Sequence, residues 1–131
     1  MDARIRLLVE VFDQAYTAPA WHGTPLKGTI RGLAARDALW RPRAGRHNIW
    51  ELVLHTAYWK CLVRRRLLRD PEIAFPRPGV NFPPLPARLD PKELGRRAWR
   101  STWSIAANVY GIASHDLYHA GQIQLIKRLR S

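Results

Sequence analysis

The sequence predicts an all-α domain. Three long stretches carry apolar residues at helical spacing, no stretch alternates apolar and polar residues as a half-buried strand does, and the prolines gather in one segment. The chain has 131 residues, 47% of them hydrophobic, enough for one domain with a core of its own. Residues 1–131 are therefore read as a single domain.

The first predicted helix covers residues 2–16, with Asp2 as N-cap and Ile5, Leu8, Val9 and Phe12 on one side. Pro19 and Gly23 break the chain. A short helix is expected from Thr24 to about Arg31 with Pro25 in its first turn, and a further turn over 35–40. The stretch RPRAGRHN reads as a loop. Asn48 and Glu51 have the spacing of a capping box and open a helix that runs to about Arg69. Asp70-Pro71 ends it, because a residue before proline avoids the helical region.

Seven of the ten prolines fall between Pro71 and Pro91, which excludes a regular helix or central strand there. Residues 71–100 are read as a proline-rich connector, with a turn or two over 92–99. The last long helix is expected from about Thr102 to Leu129, weakened at Gly111 and Gly121.

Composition narrows the function. The single cysteine, Cys61, excludes an internal disulfide framework and a cysteine-rich zinc module. No apolar run reaches the roughly 18 residues of a membrane span, and the N-terminal stretch lacks a signal-peptide pattern, so a soluble, cytoplasmic protein is expected. The net charge of +12 points toward nucleic acid, but the arginines are spread over every segment, and no nucleic-acid motif accompanies them. The densest run, Arg64-Arg65-Arg66 with Arg69, lies at a helix end, where cations suit the helix dipole.

The residues with most chemical content are His115 and His119. At i and i+4 they stand about 40° apart around a helix and about 6 Å apart along it, so both imidazoles can reach one metal. The alternative is a pair of surface or core histidines. The glutamate of a helical zinc-protease motif is absent. His55, between Leu52 and Trp59 on the side expected to face the bundle interior, joins the pair if the two helices pack together. Three histidines would leave coordination positions open, as catalytic sites do. Gln122, one turn after His119, is a candidate ligand-orienting or pocket residue. Glu51 is read first as a cap and second as a site residue. His22 and His47 lie in loops. Asp116 and Tyr118 are expected to point away from the metal, and Cys61 to lie on a different face from His55. The six tryptophans read mostly as packing residues.

The segments NIWELVLHTAYWK (48–60) and GIASHDLYHAGQIQLIKRL (111–129), with AWHG (20–23) and the GRHN loop, resemble the DinB-like (DinB/YfiT) superfamily. The resemblance covers most of the chain outside the proline-rich middle. It implies an up-down-down-up four-helix bundle holding a divalent metal on His55, His115 and His119. His22, Glu51 and Gln122, read from their positions in the sequence, are outlying candidates around the site. Zinc or nickel suits three imidazoles, and iron also fits. The resemblance further implies a metal-dependent transferase or hydrolase acting on a small molecule, with a low-molecular-weight thiol such as bacillithiol or mycothiol as co-substrate, and no DNA binding.

The chain departs from the family pattern in the middle. Only 31 residues lie between Arg69 and Ser101, too few and too rich in proline for a full third helix. A bundle short of one helix exposes an apolar stripe, and a homodimer that covers it is expected. The other reading of the same residues is a metal-binding homodimer without catalysis.

Overall fold

A computed structural model describes residues 1–75 and 101–130. Five α-helices occur in it: α1 (Ala3–Tyr16), α2 (Leu26–Thr29), α3 (Ala35–Leu39), α4 (Ile49–Leu68) and α5 (Ile105–Arg130). Among the described residues there is no sheet, and one isolated bridge joins Ala20 to Gly23. The all-α class holds. The expected turns at 92–99, Trp99, most of the proline-rich connector and the place of a third helix lie outside the described residues.

Local chemistry sets the helix ends. Asp2 caps α1 by accepting from the Arg4 amide at 2.8 Å. Asn48 caps α4 in a complete capping box: its side chain accepts from the Glu51 amide (2.8 Å), and the Glu51 carboxylate accepts from the Asn48 amide (3.1 Å). At the other end of α4, Arg69 takes the left-handed conformation (φ 55°) that closes the helix, a place more often held by glycine.

Two boundaries differ from expectation. α2 is a single turn, Leu26–Thr29, with Pro25 as its cap rather than its first residue. α5 starts at Ile105, not Thr102, because the Ser104 hydroxyl accepts from the Ala107 amide (3.1 Å) and caps it there.

The central element is α5, which packs against α1, α4 and α2. It runs antiparallel to α4: Ile49 and Leu52 share a core with Ile123 and Ile126, His55 meets His115, and Arg66 reaches Asn108. Leu26 and Ala38 close that core from the two short helices. Ile123 and Ile49 are almost wholly buried, worth about 1.5–3 kcal/mol each. On α1, Ala15 is buried and Ile5, Leu8 and Phe12 are half-buried, whereas Val9, expected on the inner side, is exposed. The tryptophans are less of a core set than their number implies. Among the described tryptophans, Trp21, Trp50 and Trp103 are exposed, and Trp40 and Trp59 are half-buried.

Candidate metal centre

α4 carries His55 and α5 carries His115 and His119, and the antiparallel pairing brings the three together. His115 Nε2 lies 3.2 Å from His55 Nε2 and 3.1 Å from His119 Nε2. One ligand atom from each ring falls within 4.8 Å of the others, so the three can hold a metal ion. Tetrahedral zinc with Zn–N bonds near 2.05 Å sets its nitrogens about 3.3 Å apart, so the observed spacing suits the ion.

The proton inventory favours the same fit. The Gln122 Oε1 oxygen can only accept, so the 2.6 Å contact fixes the proton of His119 on Nδ1. Nε2 of His119 then carries a lone pair turned toward the other two rings. Gln122 is held in turn by donating to the Tyr118 hydroxyl at 3.2 Å. This is the outer-shell arrangement that sets tautomer and ring orientation in metal-ligating histidines. His115 Nδ1 is buried without a hydrogen-bond partner.

All three imidazoles are held below their ordinary pKa, and burial is the first cause in each. His115 is pushed down to about 4, with His119, His55 and Lys60 adding repulsion. His55 is lowered by burial and by His47. His119 is lowered against the opposing pull of its Gln122 bond. Neutral imidazoles at pH 7 are the form that binds a metal.

His55 faces outward, not into the interior as expected. It is exposed and lines two hollows, because the core between α4 and α5 is filled by the Ile49, Leu52 and Ile123 side of the helices. The larger hollow, about 1120 Å³, has His119, Gln122, Tyr118 and Trp40 in its walls and Arg43 and Arg46 near them.

The other expected residues fall elsewhere. Glu51 lines the larger hollow but is engaged by Arg41 (2.5 and 2.9 Å), by His47 (3.1 Å) and by its capping bond. Arg41 is the main reason that its pKa sits at about 2. His22 is exposed in the turn between α1 and α2 and does not join the cluster. Cys61 is buried on another face of α4, and burial pushes its thiol up, which disfavours the thiolate a metal needs. Tyr118 is exposed and Asp116 is fully buried, and neither offers an atom to the cluster.

Sequence reasoning missed one polar element. Lys60 Nζ pairs with the Asp116 carboxylate, bridging α4 and α5 in the interior. Lys60 also lies over the Tyr16 ring at 5.0 Å, which ties in α1. Burial drives both partners toward their neutral forms, Asp116 up to about 6 and Lys60 down, and each restrains the other. The only signal in the sequence is Lys60 five residues beyond His55 and Asp116 beside His115.

Comparisons with models of protein families, with curated proteins and with solved structures find no match to this chain. Among the described residues no helix is long and apolar enough to cross a membrane.

Proposed function

We propose that the chain is a DinB-like, divalent-metal-dependent enzyme of the thiol-transferase or hydrolase type, acting on a small molecule. The observation that carries this reading is the convergence of three neutral imidazoles at the wall of an open hollow. Three protein ligands leave coordination positions for a reactant. When bound, a divalent ion supplies Lewis-acid activation of a thiol or of water. The chain's own contribution is orientation. Gln122 keeps the His119 lone pair inward, and Tyr118 steadies Gln122. Zinc or nickel fits the donor set best, with iron next.

A second reading, a metal-binding homodimer without catalysis, is favoured by one observation. Tyr118, Leu125 and Leu129 form an exposed stripe along α5 beside the larger hollow. Soluble monomers seldom leave such stripes uncovered. Nucleic-acid binding ranks behind both.

Elemental analysis of the purified protein, beside the His115→Ala, His119→Ala double variant, tests the centre. About one metal per chain in the parent and none in the variant is the expected outcome. No metal in either after reloading with zinc or nickel would refute it. Sedimentation over a hundredfold concentration range separates the two readings of the stripe. A loaded dimer inactive with every thiol and ester offered favours the second.

A further inference from the structure

The histidine cluster is a partition between two hollows. His119 belongs to the larger one, His115 to a smaller one of about 570 Å³, and His55 lines both. The smaller hollow follows the seam of α4 and α5 away from the histidines. Trp59, Val63, Gly111 and Ile112 make its apolar walls, and Arg66 and Asn108 stand farther along it.

Arg66 is an unusual residue for such a place. It is half-buried, and no described carboxylate pairs with it. Its Nη1 donates one long hydrogen bond, 3.4 Å, to Asn108 Oδ1. Asn108 is itself 7% exposed and locked, its amide donating to Ser104 O (2.8 Å) and Ser101 Oγ (3.2 Å). The amide oxygen is thus turned to Arg66 and steadies it. A guanidinium has five N–H donors in a fork that suits a carboxylate, and among the described residues the Asn108 bond is the one that engages them. Asn108 precedes His115 by two turns of α5, roughly 10 Å of rise.

Gly111 adds an independent observation. A Cβ built on it meets no atom within 4 Å, so the wall between the two polar ends is open space. A glycine in mid-helix costs about 1 kcal/mol relative to alanine.

We propose that the smaller hollow is a binding site for an organic anion. Its carboxylate sits on Arg66, its apolar chain runs past Trp59 and Gly111, and its other end lies at the three histidines. The proposal rests on the metal-centre reading and names the substrate class for it: a carboxylate with a donor group roughly 10 Å away.

The test uses cobalt(II)-loaded protein and a pair of probes, 8-mercaptooctanoate and 8-mercaptooctanol, followed by the visible bands of cobalt and by titration calorimetry. The acid is expected to bind about tenfold or more tighter than the alcohol. Arg66→Gln should erase that difference, and Arg66→Lys should keep part of it. Gly111→Leu, a change to a better helix former, should weaken both probes by filling the hollow. Arg36→Gln, at an exposed position of α3, controls for net charge and should change nothing. Equal affinity of acid and alcohol for the parent protein overturns the proposal without any variant. If cobalt does not bind at all, the metal reading fails. Octanoate binding to the metal-free protein, lost in Arg66→Gln, then still supports the anion site, and its absence overturns it.

Discussion

His115 and Asp116 are neighbours in the chain, yet they belong to two polar clusters of opposite design. Both clusters join α4 to α5. The Lys60–Asp116 pair is charge-balanced: donor and acceptor meet inside the protein through one carboxylate oxygen, and Asp116 is fully buried with its Oδ2 unpartnered. The histidine cluster is open: a ligand nitrogen from each of three imidazoles converges on one place, and hollows flank them. A helix turns about 100° per residue, so adjacent positions serve the interior and the hollow. The difference teaches that polarity between two helices is not one kind of feature. A pair of opposite charges acts on stability, and a cluster of imidazoles with no opposite charge among them acts on ligands.

The largest expected effect breaks the charge-balanced cluster. Asp116→Ala strands Lys60 in the interior and should cost about 3–5 kcal/mol in urea unfolding. The double change Lys60→Met, Asp116→Leu removes both charges and should recover most of that loss. If the double variant is as unstable as the single one, the pair is not the reason.

Zinc should separate the clusters next. In the parent, zinc at a hundred times its Kd should raise stability by about 2.7 kcal/mol, and in the His115→Ala, His119→Ala double variant by none, read as a shift in thermal midpoint. Gln122→Ala leaves the three ligands but frees the His119 tautomer, and zinc affinity should fall about 10–100-fold with little change in metal-free stability.

Acid should act on the two clusters in opposite senses. The folded pKa of His115 is depressed to about 4 from 6.5, so its contribution to stability is present above 6.5 and is lost as pH falls from there through 4. Asp116 is raised to about 6 from 3.8, so its contribution is present below 3.8 and is lost as pH rises through 6. Unfolding of the metal-free protein followed from pH 7 to 4 should therefore steepen in Asp116→Asn, where only the loss on the histidine side remains. Zinc affinity should fall less between pH 7.5 and 6.5 than it would for histidines of ordinary pKa, because all three imidazoles are held below that value. A steep loss in that window would mean histidines of ordinary pKa.

The smallest effect lies away from both clusters. Asn48→Ala removes one half of the capping box at the start of α4 and should cost about 1 kcal/mol, with zinc binding unchanged.

Much of this molecule is written in local chemistry. The caps at Asp2 and Asn48, the stop near Asp70-Pro71 and the i, i+4 spacing of His115 and His119 depend on residues within a few positions of one another, so the chain alone reveals them. The helix spacing also marks Gln122 as a neighbour of His119. Ser104 as the start of α5 is harder to read, since Thr102 competes for the same role. What depends on packing is not legible in this way. His55 meets His115 from 60 positions away, and Lys60 meets Asp116 from 56. The antiparallel register of α4 on α5 decides both at once. Apolar periodicity shows which side of a helix seeks burial. It does not show how far one helix slides along another, and one turn of slip, about 5.4 Å, would part the three rings.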